Sequence, residues 1–146
     1  MSSTHFKDFI EGYSIEVVPN SAAKIESFAE ILPKKTRVYV AHLEKEDIAS
    51  MVRTAKNLND QGFTVMPHIP ARMIKNKDTL SDWISRYQNE AGVTEALLLA
   101  GGSTKPAGDY DSSIQLIESG LFDKAGFRRL HIAGHPEGSK DIDPDG

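Results

Sequence analysis

Five short runs of mostly apolar residues recur along the chain, at Tyr13–Pro19, Thr36–His42, Thr64–Ile69, Glu95–Ala100 and Arg129–Ala133. Each is rich in Val, Ile or Leu and nearly continuously apolar at its centre, as strands buried on both faces should be. Between these runs the spacing becomes helical. Ile25, Phe28, Ala29 and Leu32 fall at i, i+3, i+4, i+7, and so do Ile48, Met51, Val52, Ala55 and Leu80, Trp83, Ile84, Tyr87. Gly62 and Gly92 stand just past the second and third of these helices, where a left-handed residue closes the last turn. A fourth helix is expected to start after Asp111 as its N-cap and to run through Ile114, Ile117 and Leu121.

Strands alternating with helices across short connections predict an α/β domain with a parallel sheet. A flavodoxin-like open sheet and a (β/α)8 barrel both fit, and both bind ligands beyond the carboxyl ends of their strands. A full barrel takes eight strands and roughly 250 residues; this chain has 146. As a barrel it would therefore hold about the first five strands, whereas a five-stranded flavodoxin-like sheet would need no more chain. Residues 1–146 read as a single domain, with 1–11 an N-terminal tail or helix.

Composition narrows the classes. Apolar residues make up 39% and charged residues 26%, the balance of a globular protein. The net charge is −4 and no Lys/Arg run occurs, which disfavours nucleic acid as a partner. With no cysteine, disulfides, thiolate catalysis and Cys-based zinc sites are excluded. No apolar run approaches the ~18 residues of a membrane span, and the start carries no apolar leader. A cytoplasmic location is the expectation.

Each strand delivers something usable at its carboxyl end. Glu16 lies within Ile15-Glu-Val-Val-Pro19, where a carboxylate is costly to bury unless it is paired or used; an edge-strand glutamate facing water is the plainer alternative. His42, His68 and His135 fall at or after the ends of the second, third and fifth runs. With Glu16 they could serve as ligands of a metal-dependent hydrolase or lyase. His131, inside a strand, and His5, in the tail, read as packed or surface residues. The fourth run leads into Ala100-Gly-Gly-Ser-Thr104, whose paired glycines would let an anion or a planar ring approach the backbone. Tyr110, in the loop that follows, could stack on such a ligand. No GxGxxG or P-loop motif is present.

In series, these strand ends resemble the methylenetetrahydrofolate reductase family, flavoproteins built on a (β/α)8 barrel. Ile15-Glu-Val-Val-Pro19 is similar to the family's Phe-Glu-Phe-Phe-Pro, and Val65-Met-Pro-His-Ile69 to its Val-Pro-His-Leu. Ala96-Leu-Leu-Leu-Ala-Gly-Gly102 is similar to Leu-Ala-Leu-Arg-Gly-Asp, Tyr110-Asp-Ser-Ser113 to Tyr-Ala-Ser-Asp, and Ile132-Ala-Gly-His-Pro-Glu-Gly138 to Val-Ala-Gly-Tyr-Pro-Glu-Gly. The resemblance covers nearly the whole chain, in order and at matching spacing.

It implies FAD as cofactor, NAD(P)H as reductant and a small-molecule folate as substrate. Glu16 falls on the family's general acid, a job suited to a carboxyl whose pKa an apolar strand raises. His68, Ala100, Gly101, Gly102, Tyr110, Ser112, Ala133, Gly134 and His135 fall on positions that line the flavin. The departures are specific. Gly102 replaces an aspartate near the flavin, Ala100 its neighbouring arginine, Ala41 and His42 a threonine–tyrosine pair, His135 a tyrosine and Ser139 a histidine. An incomplete barrel implies a fragment of a longer enzyme, inactive by itself, or a half-barrel that self-associates to cover its open edges. A non-catalytic binding or assembly module is the remaining alternative.

Overall fold

The computed structural model describes residues 11–134 and 138. His5, His135 and Ser139, and the expected N-terminal tail up to residue 10, lie outside them. The described chain forms five strands, β1 (Ser14–Val17), β2 (Arg37–Val40), β3 (Thr64–Pro70), β4 (Glu95–Leu99) and β5 (Arg129–Ile132). Five helices accompany them: α1 (Pro19–Ala22), α2 (Ile48–Asp60), α3 (Lys77–Ala91), α4 (Ser113–Glu118) and α5 (Leu121–Lys124). All five predicted strands are present.

Every strand pairs in parallel with its neighbour in sequence, so the order is β1-β2-β3-β4-β5. That is not the 2-1-3-4-5 order of a flavodoxin-like sheet, and the flavodoxin-like alternative is set aside. With right-handed crossovers, a sequential order puts every connecting helix on the same face. The core forms there. Val38, Val40, Val65, Ile69, Ala96 and Leu98 point from alternate strand positions into Met51, Val52, Ala55 and Leu58 of α2 and Leu80, Ile84 and Tyr87 of α3. The opposite face carries Glu16, Tyr39, His68, Glu95, Leu97 and His131, the intervening positions of the same strands.

The two long helices form as their sequences predict. Asp47 caps α2, its carboxylate accepting from the Ser50 N–H at 2.6 Å, and Asn76 caps α3 by accepting from the Thr79 N–H at 2.9 Å. Gly92 ends α3 at φ +64°, and Gly62 follows α2 at φ +87°.

Of the other two helical expectations the first fails and the fourth holds in part, each for an identifiable reason. The helix expected over Ile25–Leu32 is only a 3-10 turn at Phe28–Glu30. The Gln61 side-chain oxygen takes the Phe28 and Ala29 N–H groups at 2.8 and 3.2 Å, while the Phe28 ring meets Phe63 edge-on. One buried anchor and a side-chain acceptor thus replace a helical face, and Ile31 is left exposed. The fourth helix starts one residue later than expected, with Ser112 as N-cap. Gln115 Oε1 accepts from the N–H groups of Asp111 and Ser112 at 2.6 and 3.0 Å, a reciprocal cap that fixes the start. Gly120, at φ +65°, then separates α4 from α5. Leu116 is the buried residue of α4, while Ile114 and Ile117 face outward.

Candidate functional site

The open face of the sheet curls. Tyr39 on β2 and His131 on β5 have ring centroids 6.2 Å apart, although two strands separate them. In a flat sheet three strand spacings would hold them roughly 14 Å apart. Side chains of β2 and β5 therefore converge over a concave surface.

Glu16 and His68 meet on this surface. His68 Nε2 lies 3.2 Å from Glu16 Oε2, close enough for charge attraction. The contact is not aimed as a hydrogen bond, so this buried ring nitrogen has no hydrogen-bond partner. Burial pushes the His68 imidazole below its usual pKa, and the Glu16 carboxylate offsets part of that by favouring the protonated form. Glu16 itself is 58% exposed at the side chain. The burial expected to make it hold a proton is absent from this open face.

A second carboxylate–imidazole pair lies on the same face. His131 Nε2 is 3.2 Å from Glu95 Oε2, with Arg129 Nη1 3.9 Å from the same oxygen. Tyr39 meets both imidazoles edge to face, at 6.3 Å from His68 and 6.2 Å from His131. His131, expected to be a packed or surface residue, is half-buried and paired with Glu95. Tyr39 and Glu95 were not singled out in the sequence at all. Strand parity could have found all three, since each alternates with a core residue: Tyr39 between Val38 and Val40, Glu95 before Ala96, and His131 after Leu130.

His42 does not join them. It shares parity with Val38 and Val40, so it turns toward the helices and stacks on Trp83 with centroids 4.9 Å apart. Its Nε2 lies 3.1 Å from the Glu46 carbonyl oxygen, and its Nδ1 is buried without a partner. Burial lowers its pKa, against the opposing pull of the Glu46 carbonyl and of the Glu46 and Asp47 charges. Among the described residues no group of three His, Asp or Glu side chains could hold a metal ion.

The loop after β4 is laced to the segment after β3. Arg72 N–H donates to the Ala100 carbonyl at 2.9 Å, the Arg72 carbonyl accepts from Ala107 at 2.8 Å, and the Lys75 carbonyl accepts from Asp109 at 3.0 Å. The Arg72 guanidinium adds bonds from Nε to Asp111 Oδ1 at 2.7 Å and from Nη1 to the Ser103 carbonyl at 3.2 Å. Ser103 Oγ donates to Glu44 Oε1 at 2.6 Å, joining this loop to the one after β2. Gly101 turns the chain at φ +95°, where an added Cβ would sit 3.0 Å from Pro70, whereas Gly102 has open space around it.

The remaining expected flavin contacts divide. Tyr110 is half-buried against the core cluster, and burial raises its phenol pKa. Ser112 has a structural duty as N-cap of α4. Ala133 and Gly134 follow the end of β5, half-buried and exposed respectively.

Two surface grooves lie elsewhere, in the helical layer. One of about 330 Å³ runs between α1 and α2, and one of about 310 Å³ between α3 and α5. Neither is lined by a strand-end residue of the concave face. No helix among the described residues is long and apolar enough to cross a membrane. No protein-family model matches the sequence.

Proposed function

We propose that this chain forms the first five strands of a (β/α)8 barrel of the methylenetetrahydrofolate reductase type. Its concave face would take part in the NAD(P)H-driven, flavin-dependent reduction of 5,10-methylenetetrahydrofolate or a related folate to the 5-methyl form. The observation that carries this reading is the approach of Glu16 to His68 at 3.2 Å on a curled sheet of sequential strands. These are the two polar side chains that the resemblance places at the proton-donating and flavin-lining positions.

The residues present are chemically suited to FAD. His68 Nε2 is buried with an unused hydrogen-bonding site, and the space above Gly102 leaves room for a ring against the backbone. His68, Gly101 and Gly102 would hold the flavin, with Ala133 and Gly134 at the neighbouring strand end. When bound, the flavin supplies hydride to the folate. Glu16 would give a proton to N10, the arylamine nitrogen of the five-membered ring, so that its bond to the methylene carbon breaks and leaves a reactive iminium at N5. His68 keeps the carboxyl group of Glu16 beside the site. The Arg72-braced loop would cover one side and exclude water.

The test is flavin binding followed by single-turnover kinetics. FAD added to the purified chain should lose fluorescence on binding, and His68→Ala should weaken that binding. Where folate is reduced, Glu16→Gln should slow that step by about 10²–10⁴-fold, as for loss of a general acid. Reduction of the flavin by NAD(P)H should be spared. A chain that binds no FAD would overturn the proposal.

A second reading, a non-catalytic half-barrel that associates with a second copy, is favoured by the exposure of Glu16 and by Gly102 in the family's aspartate position. In it the outer edges of β1 and β5 pair between copies. A concentration-dependent dimer that ignores FAD is its signature.

A further inference from the structure

On the concave face, one side chain from each of the five strands joins a single run. Glu16 of β1 touches His68 of β3, which meets Tyr39 of β2; Tyr39 meets His131 of β5, which touches Glu95 of β4. The two imidazole–carboxylate distances are the same, 3.2 Å. The two ring contacts are alike, 6.3 Å at 67° and 6.2 Å at 85°. Barrel interiors are ordinarily filled by bulky branched side chains; the run across this open face is made of two acids, two imidazoles and a phenol.

An edge-to-face pair is favourable because the positive ring edge meets the negative π face, and a protonated imidazole strengthens that attraction. Tyr39 stands in ring contact with both imidazoles, so a change in the orientation of one bears on the other through it. Other charged groups bear on the same run. Arg129 approaches Glu95 at 3.9 Å. Arg37 precedes Tyr39 by two residues on the same face of β2. His42, after β2, is near enough for its charge to oppose that of His68.

We propose that Tyr39, backed by the Glu95–His131 pair, is a positioning residue that fixes the His68 ring and through it the carboxyl group of Glu16. Its place in catalysis rests on the reading of Glu16 as the proton donor. The physical coupling along the run does not.

A ring-resonance NMR titration of His68, on the full chain without flavin or folate, tests the coupling. Glu95→Gln removes the partner of His131 and is expected to move the His68 titration midpoint. Tyr39→Leu is expected to move the His68 midpoint by about half a pH unit or more, the scale of one lost aromatic contact. It should also abolish the effect of Glu95→Gln on His68, whereas Tyr39→Phe should retain it. A Glu95→Gln chain in which the His68 midpoint stays where it was would overturn the proposal, and that comparison stands even if Tyr39→Leu fails to fold. Because no cofactor is in the sample, failure of the coupling is distinguishable from failure to bind FAD.

Discussion

Arg72 and Asp111, 39 residues apart in sequence, are joined by a 2.7 Å bond from Nε to Oδ1. The Arg72 side chain is only 11% exposed, so this bond and the one to the Ser103 carbonyl act from inside the loop rather than on its surface. The guanidinium thereby sets the path of the chain from Ser103 to Asp111, beside the proposed flavin contacts.

Replacing Arg72 by Met is expected to cost about 1.5–3 kcal/mol, because the largely buried guanidinium that ties the Ser103 carbonyl and Asp111 to the segment after β3 is lost. Asp111→Asn should cost about 1 kcal/mol or less, since its carboxylate is largely exposed. Urea unfolding midpoints measure both, and equal costs would contradict the bracing role.

Acidification is expected to destabilise the fold. Burial holds the His42 and His68 imidazoles below the ordinary value of 6.5 in the folded chain. The unfolded chain therefore binds more protons once the pH falls below about 6.5, and stability declines from there downward. Well above that value, from about one pH unit upward, both states are neutral at these positions and no change is expected. Trp83, the single tryptophan, stacks on His42 and reports the transition by fluorescence. His42→Gln should flatten the decline between pH 6.5 and 5.

Two glycines of one loop should respond oppositely. A Cβ on Gly108 would stand 1.8 Å from the Lys75 backbone carbonyl oxygen, and that carbonyl already accepts from Asp109. Gly108→Ala is expected to cost more than about 2 kcal/mol, whereas Gly102→Ala, with open space around it, should stay within about 1 kcal/mol. Thermal unfolding of the two variants makes the comparison.

Asn76→Ala removes the cap of α3, whose side-chain oxygen accepts from both the N–H and the hydroxyl of Thr79. A loss of about 1 kcal/mol is expected, readable as a lower urea midpoint at an unchanged slope.

The strands were legible because each is a short run rich in Val, Ile or Leu, although one face alone packs against the helices and the other carries Glu16, Tyr39, His68, Glu95 and His131. Helices α2 and α3 were legible because their apolar stripes are long and capped. The helix expected at Ile25–Leu32 was not recoverable locally, since the acceptor that replaces it, Gln61, lies beyond α2. In α4, three apolar residues compete for one buried position, and Leu116 takes it through packing that the spacing of Ile114 and Ile117 cannot show. At the site, Glu16 and His68 were found because they are polar interruptions in apolar runs. His42 was misplaced by the same reasoning: proximity to a strand end says nothing about which face a side chain takes, whereas counting by two from Val40 does. The pairing of Glu95 with His131 depends on inter-strand register, which only the folded sheet supplies.

The sequential strand order bears on how the chain acquires its structure. Among the described residues each strand after β1 pairs with the strand made just before it. Contacts of short sequence separation cost little loop-closure entropy and form quickly. The sheet can therefore grow from the amino-terminal side as the polypeptide leaves the ribosome, one strand and one helix at a time. The last strand to arrive, β5, brings His131 onto Tyr39, so the polar run closes only when synthesis has passed that point.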